Sequence, residues 1–174
     1  MKVLLDSDIV LELLLNRGEY VAQIEHFFLE LNNSEVEAYI TDSCLKKIAC
    51  YAPSDCTELT IDFVMRSFDT RILPVEYRHI INARSSPLAS FESAVEVVCA
   101  VEAGFDAIFT HSPNEFIGST FPVFSISEFS KQLQLYQHRS YLRQCFDLRV
   151  DEVDKSESVL KNSNNLFKFL WHKT

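Results

Sequence analysis

Two carboxylates stand two residues apart near the start of the chain, Asp6 and Asp8, directly after the apolar run Val3-Leu4-Leu5. That run is long enough for a buried strand and too short for a helix. Apolar residues then resume at helical spacing (Ile9, Val10, Leu13, Leu14) as far as Asn16-Arg17-Gly18. A strand that ends in an acidic turn and feeds a helix opens an α/β unit. In open α/β sheets the ligand crevice lies outside the carboxyl ends of the strands, so Asp6 is expected there. Glu12 follows one helical turn after Asp8, and Glu92 and Glu96 share a helix face at i, i+4. His111 stands at the carboxyl end of a later strand, where an imidazole could serve as a general base. It has no nucleophile or base partner near it in sequence and reads as a hydrogen-bonded structural histidine.

The elements that must position these groups follow from periodicity and punctuation. Tyr20 to Leu31 repeats apolar residues at helical spacing and stops at Asn32-Asn33-Ser34. Val36 to Ile40 alternates as a strand, and Thr41-Asp42-Ser43 reads as the N-cap of a helix through Cys44, Leu45, Ile48 and Ala49. After Ala52-Pro53-Ser54 a further helix is predicted through Leu59, Phe63, Val64 and Phe68. Arg71 to Val75 is a short strand that Pro74 assigns to a strand end or sheet edge. A helix from about Glu76 to Asn82 follows, then a long one from Phe91 to Ala103, capped by Ser90 and ended by Gly104. Ala107 to Thr110 is a strand, Pro113 to Phe116 a helical turn and Pro122 to Phe124 a last strand, before a helix capped by Ser127 through Phe129 and Leu133. Strands alternating with helices predict a parallel sheet covered on both faces. The stripe Phe27, Phe28, Phe63 and Phe68 reads as core.

Composition bounds the function. At 174 residues the chain is long enough for one domain with a real core, and 47% hydrophobic with 24% charged residues is ordinary for a globular protein. Three glycines, and neither GxGxxG nor GxxxxGK[ST], argue against a phosphate cradle. A net charge of −9 argues against broad, sequence-blind nucleic-acid binding, although an acidic site can meet phosphate through cations. Five cysteines without a CxxC pair read as reduced core thiols. The chain enters a strand at residue 2 and its apolar runs are too short to span a bilayer, so a cytoplasmic protein with no membrane partner is expected. From Tyr136 the character changes. Tyr136-Gln137-His138-Arg139 through Arg143 mixes basic and aromatic residues as RNA-binding segments do, but the favoured reading is a helix that packs on a neighbour. Asp151 to Asn165 is polar and expected to be mobile, and Leu166 to Trp171 is an apolar patch that docks on the domain or on a partner.

Two long segments carry a family resemblance. MKVLLDSDIVLELLLNR resembles the opening of a PIN domain, which in a bacterial branch reads close to MKVLxDTNVLLDLLLNR. SFESAVEVVCAVEAGFDAIFTHSPNEF, followed by PVFSISEF, is similar to the family's DxEDAxxxxxAxxxGxDxIVTRDxxDF followed by PVLSPEEF. The resemblance runs from residue 1 to about 133. It implies an α/β, three-layer α/β/α PIN-like fold around a central, mostly parallel sheet of four to five strands. It implies a PIN-like domain over residues 1–135, with 136–174 as an extension, part helical and part mobile. It also implies a metal-dependent, single-strand-directed endoribonuclease, often the toxin of a toxin–antitoxin pair and commonly a homodimer. Such a site is a ring of carboxylates at the carboxyl edge of the sheet, because hard divalent cations take oxygen ligands and generate the nucleophile.

This chain keeps one of the four carboxylates. Asp6 matches the strand-end aspartate and is the candidate metal ligand. The second position, on the helix after the second strand, offers Lys46 or Lys47; the third is Ser93 and the fourth Ser112. The lysines could meet phosphate or pair with Asp6, and hydroxyls could hold a metal through water but lend no charge. A substitute catalytic set would be Asp6, Asp8, Glu12 and Glu92, with Glu115 facing solvent. The expected function is a non-catalytic PIN-like module that binds RNA or a cognate regulatory protein, without a cofactor. The alternative is a toxin-type endoribonuclease using Mg²⁺ or Mn²⁺ on that substitute set.

Overall fold

A computed structural model of the chain describes residues 1–15, 20–51, 62, 66 and 71–141. In chain order the described elements are β1 (Lys2–Leu5), α1 (Ser7–Leu15), α2 (Val21–Asn32), β2 (Glu37–Thr41), α3 (Asp42–Tyr51), β3 (Arg71–Leu73), α4 (Tyr77–Ala83), α5 (Phe91–Glu102), β4 (Ala107–Thr110), a 3₁₀ turn (Pro113–Phe116), β5 (Val123–Ser125) and a second 3₁₀ turn (Ile126–Glu128). The chain divides into Met1–Lys131 and Gln132–Thr174. The sheet belongs to the first part, and in the second residues 132–141 are helical. Of the predicted helix over Leu59–Phe68 the structure describes Asp62 and Arg66, both helical; its other residues, the Asn16-Arg17-Gly18 stop, the polar stretch 151–165 and the apolar end 166–171 lie outside the described residues.

The five strands form one all-parallel sheet in the order β3-β2-β1-β4-β5. Helices cover it on both faces, which explains why β1 and β4 are apolar without alternation. Neighbouring residues along a strand point to opposite faces. Leu4 and Ile108 pack with Ala100 of α5 and with Phe105 and Phe116. Phe109 packs on the opposite side, against Phe27, Phe124 and Phe129. The apolar face of α2, at Ile24, Phe27, Phe28 and Leu31, has the i, i+3, i+4, i+7 spacing of a helix laid on a core. Gly104 ends α5 at φ +68, a left-handed backbone that side chains disfavour, and turns the chain into β4.

Several details differ from the sequence expectation. The last helical segment is capped by Ser125 rather than Ser127: Ser125 and Glu128 form a reciprocal capping box around the second 3₁₀ turn. Cys44 and Cys99 are buried free thiols, but Cys50 is exposed on the outer side of α3; Cys56 and Cys145 lie outside the described residues. Thr41 behaves as expected, its hydroxyl accepting the Cys44 amide at 3.1 Å while 1% exposed. Thr41→Ala leaves that amide unpaired and should cost about 1 kcal/mol. Urea denaturation reads it, and no change would mean that another acceptor takes over.

Candidate functional site

The order of the strands reverses between β1 and β4, and the crevice at their carboxyl ends is where the acidic residues meet. The Asp6 amide donates to the Phe109 carbonyl at 2.9 Å, continuing the β1–β4 ladder one residue past the strand. Its carboxylate is thereby held at the sheet edge, 7% exposed. Asp6 Oδ1 accepts from the Ser7 hydroxyl at 3.2 Å, and Oδ2 lies 2.9 Å from the Thr110 hydroxyl. The same hydroxyl lies 3.0 Å from Asp8 Oδ2 and accepts the Ser112 amide at 3.0 Å. A hydroxyl has one proton, so Thr110 donates to one of the two carboxylates at a time. Asp8 also accepts the His111 amide, at 3.0 and 3.2 Å on its two oxygens. Asp8 is thus the clasp that fixes the end of β4 against the start of α1. His111 rests its ring on Tyr20, centroids 4.2 Å apart, a structural placement.

Burial sets the protonation of the centre. It raises the Asp6 carboxyl from 3.8 to about 6; the Asp8 charge adds to this, while Thr110, Lys47 and Ser7 oppose it. Glu96, on the buried face of α5, is pushed well above the usual carboxylate range by its own burial and next by Asp6. Its Oε2 is the one buried side-chain polar atom without a hydrogen-bond partner among the described residues. Burial raises the neighbouring Cys44 thiol, with Glu96 and Asp6 adding to it, so this cysteine is inert rather than nucleophilic.

The two adjacent lysines part company. Lys46 pairs with Asp42 one turn back on the exposed side of α3, at 3.2 Å. Lys47 turns inward: its ammonium lies 2.5 Å from Glu92 Oε1 of α5 and donates to the Ser7 hydroxyl at 3.2 Å. Burial works against that charge. The hydrogen bond and charge of Glu92, followed by the charges of Asp6 and Glu96, nevertheless hold Lys47 above the ordinary lysine range. Lys47 thus ties α3, α1 and α5 together at the mouth of the crevice.

The substitute set Asp6, Asp8, Glu12 and Glu92 is gathered only in part. Asp6, Asp8 and Glu12 line one cavity of about 230 Å³ with Ser7, Leu11, Lys47, Tyr51 and Glu115. Glu92 is exposed and occupied by Lys47, and Glu115 is exposed at the rim. Ser93 is buried with its amide capped by the Ser90 hydroxyl, and Ser112 is held through its amide by Thr110. Glu96, Ser7 and Thr110 are the members that the choice of the substitute set passed over. Glu96 had a readable signal: it stands three residues after Ser93, on the same helix face and deeper in the fold.

A divalent cation on protein carboxylates needs several oxygen ligands converging on one point. Among the described residues no three Asp, Glu, His or Cys side chains converge in that way. Asp8 is spent on the β4 clasp, Glu92 on Lys47, and the carboxyl of Glu96 is biased toward its neutral form. The positive charge among these acids is a lysine. The residues present do not fit the divalent centre that the sequence resemblance implies.

The fold has solved counterparts. A chain in the structure of FitAB bound to an IR36 DNA fragment matches with a TM-score of 0.56 at 14% identity, covering 71% of this chain and 94% of that one. One in VapBC2 from Rickettsia felis, bound to a DNA fragment from their promoter, matches at 0.57 and 7% identity, covering 72% and 98%. One in VapBC-1 from nontypeable Haemophilus influenzae matches at 0.54 and 12%, covering 73% and 99%. No protein-family model and no curated protein matches the sequence. The five-stranded parallel sheet, its helical layers and the resemblance over residues 1–133 agree: in fold, the chain is a PIN-like domain.

Proposed function

We propose that this PIN-like domain works by binding a protein partner rather than by metal-dependent RNA cleavage. The observation that carries the reading is Lys47, whose ammonium lies among the carboxylates where a nuclease of this fold needs a metal. A net charge of −9 and a cavity rimmed by Asp6, Asp8, Glu12 and Glu115 repel phosphate, so a cognate regulatory protein is a better partner than RNA. The solved counterparts bear the names of two-component assemblies, FitAB and VapBC, which supports a protein partner. A homodimer acting in the cytoplasm completes the reading. No helix among the described residues is long and apolar enough to cross a membrane.

The second reading is a Mg²⁺- or Mn²⁺-dependent single-strand endoribonuclease built on Asp6, Asp8, Glu12 and Glu92. One observation favours it: the first three line the same cavity. The two are separated by incubating the full chain with single-stranded and hairpin RNAs in millimolar Mn²⁺. The binding module leaves RNA intact to the same extent as Asp6→Asn. Cleavage that needs metal and disappears in Asp6→Asn establishes the nuclease instead.

A further inference from the structure

The seven-residue helix α4 is fastened to α5 by a histidine. His79 is 4% exposed, and each of its ring nitrogens faces a polar group of the chain. The Glu76 amide donates to Nδ1 at 2.9 Å, the place in a capping box that a glutamate or glutamine usually fills. Nε2 lies 3.3 Å from Glu102 Oε2, at the end of α5. A backbone amide is a donor only and an ionised carboxylate an acceptor only. The two contacts therefore specify the same neutral tautomer, with the proton on Nε2. Turning the ring over would set carbon atoms against both partners.

Protonation breaks this arrangement at one atom. An imidazolium carries N–H groups at both nitrogens, so the new Nδ1–H would meet the Glu76 N–H and leave two buried donors without an acceptor. The gain at Nε2 is small, because Glu102 is already compensated. Arg78 Nε lies 3.4 Å from the same Oε2, and Asn82 donates to Oε1 at 2.9 Å. A second cation on that oxygen repels Arg78 and must be carried in a buried position. Among the described residues, two further carboxylates stand at this segment, and both are engaged. Glu76 pairs with Arg78 at 3.1 Å, and Asp42 of α3 accepts the Val75 amide at 2.9 Å.

The contact that His79 closes is apolar: Ala83 of α4 packs with Ala94, Val95 and Cys99 of α5. Burial first, then the charges of Glu96, Glu102 and Asp42, pushes the Cys99 thiol up to about 12, so it is unreactive while the helices are together. We propose that His79 is a pH-sensitive clasp: neutral, it holds α4 on α5; protonated, it releases α4 and uncovers the apolar contact around Cys99. Imidazole is the side chain suited to such a switch, since its charge can change in mild acid. The clasp shares no residue with the acidic crevice and operates whether or not the domain cleaves RNA.

The test is labelling of the full chain with 4,4′-dithiodipyridine, which modifies thiols in acid as well as at neutral pH, with Cys99 located by peptide mass mapping. Rates at pH 7.5 and 5.5 are each divided by that of the urea-unfolded chain at the same pH, which removes the intrinsic pH dependence of the thiol. The relative rate at Cys99 should rise by about tenfold or more at pH 5.5. Cys44 of α3, equally buried, should stay protected, which marks a local opening rather than unfolding. His79→Asn keeps an acceptor where Nδ1 stands and does not take up a proton, so in this variant the rise should disappear. A Cys99 rate that is unchanged in acid overturns the proposal, as does a lowered one, which would mean that the charged ring tightens on Glu102. A rise at Cys44 in step with Cys99, or a rise that survives in His79→Asn, overturns it equally. Should His79→Asn fail to fold, nitrogen resonances of the wild type decide. At pH 7.5 the His79 proton should sit on Nε2, and the Glu76 amide should shift as Nδ1 gains its own. A proton on Nδ1 at pH 7.5, or a Glu76 amide that ignores the titration, overturns the proposal.

Discussion

Phe109→Ala is expected to destabilise the domain by about 3–5 kcal/mol. Phe109 is completely buried in β4, paired in register with Leu5 of β1 and flanked by β5. Its ring lies edge-on to Phe129 at 5.2 Å and beside Phe27 and Phe124 at about 6 Å. Phe27 and Phe129 also meet edge to face, at 4.8 Å. Truncation removes the central ring of this set, and its neighbours sit on three different elements whose backbones are fixed by the sheet and by α2. They cannot close the void together, so both the transfer and the cavity contributions apply. Urea denaturation with an unchanged slope measures the loss. A cost below about 1 kcal/mol would mean that the aromatic layer repacks freely, contrary to the packing of protein interiors.

Phe109 also shows why the fold was legible in the sequence. A central parallel strand is buried on both faces, so Ala107-Ile108-Phe109-Thr110 and Val3-Leu4-Leu5 stand out as short apolar runs without alternation. The helix stops and caps at Ser90, Thr41 and Gly104 are local chemistry, and local chemistry is written in adjacent residues. Asp6 was readable for the same reason, as the residue that leaves a buried strand. The remaining parts of the site depend on tertiary placement. Lys46 and Lys47 differ by one step of about 100° around a helix, and only the packing of α3 decides which of them turns inward. Glu92 and Glu96 share a face, yet the first lies in the exposed opening turn of α5 and the second beneath it. Asp8 looked like a free ligand because its hydrogen-bond partners, Thr110 and His111, lie about a hundred residues away in sequence. The Ser127 cap was misplaced by two residues because Ser125 and Ser127 are both competent, and only Ser125 finds its reciprocal partner in Glu128.

Asp6→Asn should make the domain more stable at pH 7.5, by on the order of 3 kcal/mol at most, and should leave it nearly unchanged at pH 4. The sign follows from the direction of the shift. Burial raises Asp6 from 3.8 to about 6 in the folded chain, so between these values the folded state holds a proton that the unfolded state has released. The favourable contribution is fully present below about pH 4 and is lost as the pH rises through about 6. Above that, the wild type carries a buried charge that Lys47 and the hydroxyls of Thr110 and Ser7 compensate incompletely. Glu96, raised in the same direction, steepens the decline. Asparagine removes the charge at constant shape. It also relieves the competition at Thr110, whose single proton is sought by both Asp6 and Asp8. An amide at residue 6 can donate to the Thr110 oxygen, freeing that proton for Asp8. Urea denaturation of both proteins at pH 4, 5, 6 and 7.5 checks the prediction. The two curves should diverge across the interval from pH 4 to 6, with the variant higher. A variant that is less stable at pH 7.5 would mean that ionised Asp6 is a favourable partner in the folded state, which requires more positive charge at the centre than Lys47 provides.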